Sequence, residues 1–308
     1  MGASVAVGIP VFNGADMLRR AVESALAQTR PADVVHVSDN ASTDATPEIG
    51  RALAARHERV VFTRHSTSLG LSGNFGFVLK QARTEYFMWL AADDYIEPTY
   101  IERMLTELEA DPGLVACASQ ARFVRSDGVS RPTGGTYPLL ADITTNLASY
   151  LSGPSDNTRI FALYRTQALQ RAFPPSHFHA YDWAIAAGTL LQGRHMEVPE
   201  TLMIRDETPS VAYIKGVRRD HASVLGRLFP AMAMTMDLIQ RQKIPKRWPV
   251  AKALLRINLE LHLNYALLYH RRYGKVMEPF LRRYVLWRLD SPRPPLPAAP
   301  TRRAIETG

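Results

Sequence analysis

The sequence predicts an α/β protein whose sheet is mostly parallel and flanked by helices, and three observations predict it. Short apolar runs at Val5–Ile9, Val34–Val37, Val60–Thr63 and Tyr86–Leu90 have strand length and read as strands, the first buried and the last buried on both faces. Segments at helical spacing separate them. Turn residues (Pro10, Asn13 and Gly14; Ser38 to Asp44) punctuate the boundaries. Strand and helix alternate in this way over the first 110 residues, the pattern of a doubly wound sheet.

In chain order, Val5–Ile9 is the first strand and Pro10-Val-Phe-Asn13 a loop. Leu18, Val22, Ala25 and Leu26 share one face of a first helix, which Asn13 or Asp16 could cap. After the second strand, Thr46-Pro47-Glu48 reads as a helix start, with Thr46 as cap and Pro47 at the first position. Val60–Thr63 is the third strand, and a helix runs from Leu71 to Arg83. Gly70-Leu-Ser-Gly73-Asn-Phe-Gly76 lacks the Gly-x-Gly-x-x-Gly spacing and does not join the first strand to the first helix, so it is a loop and helix start. Tyr86–Leu90 is the fourth strand, and Ile101, Leu105 and Leu108 mark the helix after it.

That fourth strand ends in two adjacent carboxylates, Asp93 and Asp94. An unpaired charge is too costly inside a sheet but is tolerated where a strand emerges, above all against a cation. The pair therefore faces a metal and what the metal holds, or supplies a cap for the helix starting near Pro98. In a parallel sheet the carboxyl ends of the strands share one edge, where ligands bind. Pro10–Asn13, Asp39 and Asp93–Asp94 all follow strands, so all are expected there.

The 308 residues suit one large domain or two modest ones, and the composition (46% hydrophobic, 21% charged) is that of a globular protein. The single cysteine, Cys117, lies in an apolar run and reads as a buried inert thiol; a reducing compartment fits. The N-terminus enters Ser4–Ile9 directly, so no signal peptide is expected, and no stretch has the length of a membrane span. A cytoplasmic location follows, with a peripheral place on the inner face of the membrane as the refinement.

Net charge is +8 and uneven: residues 241–289 carry 12 Lys/Arg against 2 Asp/Glu. From about Arg218 the pattern turns helical, with Ala253, Leu254, Ile257, Leu261, Tyr265 and Leu268 at helical spacing. These helices pack on the preceding domain, or their basic surface in 241–289 rests on anionic lipid. No nucleic-acid-binding motif accompanies the charge. Residues 291–308, rich in Pro and Ala, read as a flexible tail.

Val7-Gly-Ile-Pro-Val-Phe-Asn13-Gly14, Val37-Ser-Asp-Asn-Ala-Ser-Thr-Asp44-Ala-Thr46 and Trp89-Leu-Ala-Ala-Asp-Asp94 together resemble the family 2 glycosyltransferases of GT-A fold. The resemblance implies a GT-A domain over residues 1–215, with a nucleotide-binding half (1–115) and an acceptor half (116–215); the charge and the helical spacing make 216–290 a basic helical region after it. It implies an inverting enzyme that moves a sugar from a nucleotide diphosphate, UDP above all, to a saccharide or lipid-linked saccharide acceptor. Bacterial-type polysaccharide or glycolipid assembly is the implied setting. Pro10, Phe12 and Asn13 would line the nucleotide pocket, and Asp39 would accept a hydrogen bond from the base. Asp93, supported by Asp94, would hold a divalent cation, Mn or Mg, on the diphosphate. The first acid of the family's Asp-x-Asp motif is absent, its place taken by Ala91.

In His177-Phe-His-Ala-Tyr-Asp182-Trp183 the family's Glu-Asp appears as Tyr181-Asp182, making Asp182 the implied catalytic base; otherwise it caps a helix running from Trp183 to Leu191. Arg205 would contact the diphosphate, or pair at the surface with Asp206 or Glu207. Arg122, Arg125 and Arg159 read as an acceptor surface or as solvated side chains. Gln242 and Arg247-Trp248 lack the spacing of the processive members' Gln-x-x-Arg-Trp. A transferase-like scaffold without activity, suggested by Ala91 and Tyr181, and a sugar nucleotidyltransferase are the alternatives. An oligomer is compatible with all of these.

Overall fold

The computed structural model describes residues 3–125, 127–207, 226 and 229–269. Nine strands form one sheet among them: β1 Val5–Val11, β2 Val34–Asp39, β3 Val60–Arg64, β4 Tyr86–Trp89, β5 Tyr95–Ile96, β6 Leu114–Val124, β7 Ser130–Pro132, β8 Leu163–Arg165 and β9 Arg194–Asp206. The order is β3-β2-β1-β4-β8-β6-β9-β5, with β7 beside β6. The first four pair in parallel, and β6 pairs in parallel with β9. The short strands β5, β7 and β8 run the other way.

The helices are α1 Leu18–Leu26, α2 Thr46–Arg56, α3 Gly70–Gln81, α4 Tyr100–Ala110, α5 Ile143–Leu151, α6 Thr166–Ala172, α7 Tyr181–Leu190, α8 Met232–Met236 and α9 Trp248–Tyr269. Right-handed crossovers put α1 and α2 on one face of the sheet and α3 on the other. α4 joins α1: the Gln28 side chain accepts from Ile101 N–H at 3.0 Å and donates to the Glu97 carbonyl at 2.8 Å. On the opposite face α3 packs on α6, α6 on α7, and α7 on α5. Three of the apolar runs read as strands supply the core, with Val5, Val7, Ile9, Val35 and Phe87 to Leu90 buried, whereas the run of the edge strand β3 is buried only at Val60 and leaves Val61 exposed.

Several boundaries differ from the sequence reading. Pro10 and Val11 complete β1 instead of opening a loop, and β2 extends to Asp39. No side chain caps α1; its first N–H groups donate to the Gly14 carbonyl. Ala45, not Thr46, is the α2 cap residue, with Thr46 already in the helix. β5 separates Asp94 from α4, whose cap residue is Thr99, so the acidic pair caps no helix there. Tyr265, Leu268 and the basic residues from 270 onward lie where no side chain is described.

Pro10 has a specific consequence. Leu90 N–H donates to the Gly8 carbonyl at 3.0 Å, so the even positions of β1 face β4. The next even position is Pro10, which has no N–H to continue the ladder. Pairing between β1 and β4 stops, and the sheet opens where the strand order reverses. Behind this point Gly8 leaves room for the Phe87 ring: a Cβ there would stand 2.6 Å from Phe87 Cζ and 2.8 Å from Val78 Cγ2. Gly8→Ala is therefore expected to destabilise the fold by about 1–3 kcal/mol through overpacking. Urea unfolding measures this as a lower midpoint at unchanged slope.

Candidate active site

The loops after β1 and β2 are laced together at the sheet edge. Asn13, in the left-handed region (φ 51°), accepts from Thr43 N–H at 2.9 Å, and its own N–H donates to Ser42 Oγ at 2.9 Å. Gly14 N–H donates to Thr46 Oγ1 at 2.9 Å, and Ala15 N–H to Asp44 Oδ2 at 3.1 Å. Ser42, Thr43, Asp44 and Thr46 thus fix the shape of a crevice. Asn13 belongs to this lacing, whereas Pro10 is buried in β1 and Phe12 stands 57% exposed beside it.

Asp39 ends β2 and is fully buried. Its Oδ1 accepts from Ser42 N–H at 2.9 Å. Its Oδ2 is buried without a hydrogen-bond partner, and the Arg64 guanidinium approaches only to 3.5 Å. A buried carboxylate oxygen left without a donor is costly and suits a ligand N–H or O–H.

Across the crevice, the turn after β4 is held by α1: Arg20 Nη2 donates to the Asp93 carbonyl at 2.7 Å, and its guanidinium covers the Tyr95 ring. Asp93 is partly exposed, and its carboxylate has no hydrogen-bond or ion-pair partner among the described residues. Asp94 is buried and engaged: Oδ1 accepts from Asp206 N–H at 3.0 Å, and Oδ2 lies 3.3 Å from Arg205 Nε. Burial pushes the Asp94 carboxyl up to about 7, with Arg205 pulling it down and Asp93 adding to the rise.

Arg205 pairs with Asp94 inside the site, rather than with Asp206 or Glu207 at the surface. Its guanidinium lies between the Phe123 and Phe161 rings, 4.9 Å from each, and Nη1 donates to Thr158 Oγ1 at 2.9 Å. Its Nη2 has no partner among the described residues. No group of three or more His, Cys, Asp or Glu that could hold a metal is preformed among the described residues. Asp93 fits a hard divalent cation through its open carboxylate, since such ions in nucleotide sites take one or two carboxylates and draw their other ligands from phosphate and water; Asp94, with both oxygens engaged, backs it rather than standing free to ligate.

Asp182 lies in the first turn of α7, behind Ala180 in the left-handed region (φ 61°). Asn157 Nδ2 donates to Asp182 Oδ2 at 3.0 Å, and Asn157 Oδ1 accepts from Tyr150 OH at 2.8 Å. Burial raises the Asp182 carboxyl above the ordinary range, opposed by the Asn157 bond, the Trp183 and Asp182 N–H groups and nearby His179. Asp182 is not the cap of α7: that residue is Ala180, no side chain caps the helix, and Trp183 N–H donates to the Ala180 carbonyl at 3.1 Å. The next residue along from Asn157 is Thr158, the Arg205 partner. One short segment therefore carries supports for both Asp182 and the Asp94–Arg205 pair.

A sequence profile described as Glycosyl transferase family 2 matches residues 6–173. The chain belongs to glycosyltransferase family 2. An uncharacterized protein of Mycobacterium tuberculosis is 26% identical over 197 residues, 63% of this chain and 56% of that protein, so the chain spans little more than half of this relative. Among solved structures, S. aureus TarS 1–349 in complex with UDP-GlcNAc superposes with a TM-score of 0.56 at 16% identity, covering 88% of this chain and 87% of that one. The mannosyltransferase PcManGT from Pyrobaculum calidifontis, in complex with GDP-Man and Mn2+, does so with 0.58 at 19%, covering 95% and 82%. At such identities the likeness carries the fold, which is GT-A.

Within this family 2 chain the sequence reading missed Arg20, Asn157 and Thr158. No residue-type signal marks them, because each acts by reaching across the fold. Arg159 is a correction: it is buried rather than solvated or at an acceptor surface, donating to the Tyr137 carbonyl at 2.5 Å and facing His195 Nδ1 at 3.5 Å. Cys117 is buried, which pushes its thiol up.

The Asp94–Arg205 pair makes a pH-dependent prediction. The folded-state value of Asp94, about 7, lies above its ordinary 3.8, so this group costs stability progressively as pH rises between those values and no further above them. Arg205 holds that value down, so its removal extends the loss to higher pH. Arg205→Leu is expected to cost about 3–5 kcal/mol near pH 8 and less near pH 6, as an uncompensated buried carboxylate requires. Asp94→Asn should remove most of that pH dependence in urea unfolding of the double variant.

Proposed function

We propose that this family 2 transferase is an inverting enzyme that takes a nucleotide diphosphate sugar, UDP-linked, as donor. The observation that carries the reading is the fully buried Asp39 at the opened sheet edge, whose Oδ2 accepts no hydrogen bond and has only the Arg64 guanidinium 3.5 Å away. A uracil ring N–H satisfies that oxygen, with Pro10 and Phe12 beside the base and Asn13 holding the loop around it. The likeness to TarS, solved with UDP-GlcNAc, supports uridine, and that to PcManGT, solved with Mn2+, supports a divalent cation. Asp93, backed by Asp94, would hold that cation, which neutralises charge on the departing diphosphate. Arg205 Nη2, held in place by its two rings and Thr158, donates to a phosphate oxygen.

Asp182 takes the proton from the acceptor hydroxyl. The oxygen attacks the anomeric carbon from the face opposite the diphosphate, the bond to phosphate breaks with its electron pair leaving on the nucleotide, and configuration inverts. Burial makes Asp182 a stronger base than an exposed carboxylate, which suits proton removal near neutral pH. The acceptor is a saccharide or a lipid-linked saccharide, and the setting polysaccharide or glycolipid assembly. No described helix is long and apolar enough to cross a membrane. A second reading, a transferase-like scaffold, is favoured by Ala91 in place of the expected acid.

Steady-state donor turnover, followed as UDP release from UDP-sugars, separates the roles. Asp182→Asn is expected to lower kcat about 10²–10⁴-fold with KM little changed. Asp39→Ala is expected to raise the donor KM about tenfold or more with a smaller effect on kcat. Turnover unaffected by Asp182→Asn would overturn the base assignment. A folded protein without turnover on any nucleotide sugar would favour the scaffold.

A further inference from the structure

α9 is apolar on two opposite faces. Val250, Ala253, Leu254, Ile257 and Leu261 are buried on the inner face, towards α5. Trp248, Leu255 and Leu259 are 76%, 69% and 44% exposed. At 100° per residue these three fall within about 40° of one another and on the side opposite Ile257. An inward face alone accounts for a helix packed on a domain; the outward one needs a second environment. The neighbouring helix adds to it. Asn258 Nδ2 donates to Thr235 Oγ1 at 2.7 Å, joining α8 to α9, and Phe229, just before α8, stacks on His262; Met232, Met236 and Ile239 of this neighbouring segment are exposed.

The charge around this surface is predominantly positive. From 241 to 262 there are six basic residues and a single acid, Glu260, which pairs with Arg256. Lys252 and Arg256 lie along one side of the exposed stripe of α9, and Lys246 and Arg247 immediately precede Trp248. The sequence beyond, outside the described residues, continues the excess with Arg271, Arg272, Lys275, Arg282, Arg283 and Arg288. A two-fold contact between copies would bring these cations against their own images. The basic stretch of the same chain would also meet like charge. An anionic partner with an apolar interior meets both requirements, and a tryptophan at the boundary suits it.

We infer that the outward face of α9, with Trp248, Leu255 and Leu259 entering the acyl boundary and Lys252 and Arg256 at the headgroups, docks this protein onto an anionic lipid bilayer. Among the described elements α9 packs on α5, and α5 on α7, the helix that bears Asp182. Docking through α9 therefore holds the acceptor side of the domain close to the bilayer. That consequence, delivery of a lipid-linked acceptor, rests on the proposed function; the docking does not.

The test is sedimentation of the full chain, without donor or acceptor, with vesicles of phosphatidylcholine alone and of phosphatidylcholine mixed equally with phosphatidylglycerol. The wild type is expected to sediment with the mixed vesicles only, and to be released by high salt. Leu255→Glu/Leu259→Glu is expected to abolish that binding. Lys252→Glu/Arg256→Glu is expected to weaken it about tenfold or more, each basic residue near the surface contributing roughly fivefold. Both pairs are solvent-facing, and an unchanged unfolding midpoint verifies the fold. Should a variant unfold, the wild type still decides: a blue shift of tryptophan emission on adding mixed vesicles, absent in Trp248→Phe, supports docking. Binding to neither vesicle, equal binding to both, or a stable dimer in light scattering that Leu255→Glu/Leu259→Glu dissolves would each overturn the proposal, the last assigning the face to a second copy.

Discussion

The buried ion pair of Asp94 with Arg205 holds the site together. It joins the turn after β4 to the end of β9, at the far side of the sheet. Without it a carboxylate would be buried against the partly exposed Asp93 with only one N–H for support. The two rings around the guanidinium and the Thr158 hydroxyl fix the arginine on its remaining sides. A planar, permanently charged group suits this role, since it bonds the carboxylate at one nitrogen and the Thr158 hydroxyl at another. The pair thus turns two halves of a sheet into one edge bearing Asp39, Asp93 and Arg205.

Pro10 and Asn157 act in the same architectural sense. Pro10 ends the β1–β4 ladder by lacking a donor, and the crevice begins there. Asn157, in the left-handed region (φ 48°), bonds Asp182 with one side-chain atom and Tyr150 with another. The next residue supports Arg205. Small displacements of this segment would therefore move the proposed base and the proposed phosphate contact together.

The strands and the edge on which Asp39 and Asp93 converge were legible in the sequence, because buried parallel strands are continuous apolar runs and their ends are polar. The family was legible in the combination of the Val7–Gly14 and Val37–Thr46 stretches. Less legible was what individual side chains do there. Asn13, Ser42, Thr43 and Asp44 look like ligand-facing polar residues, yet their bonds run between the two loops. The surface-or-phosphate choice for Arg205 left out a partner 111 residues away, and Arg159 read as acceptor-facing or solvated because nothing local announces a buried guanidinium. The outward stripe of α9 was hidden behind its inward one, since both are apolar and only packing separates them.

Calorimetric titration of UDP into the protein, with and without Mn2+, beside GDP, dTDP and CMP, tests most directly whether this edge is a nucleotide diphosphate site. Binding of UDP in preference to the others, strengthened by Mn2+, is the predicted result. Asp39→Ala should weaken it in either condition, whereas Asp93→Ala should remove only the metal's contribution. Binding of UDP that neither substitution changes, or no binding of any of the four to the folded protein, would contradict the account.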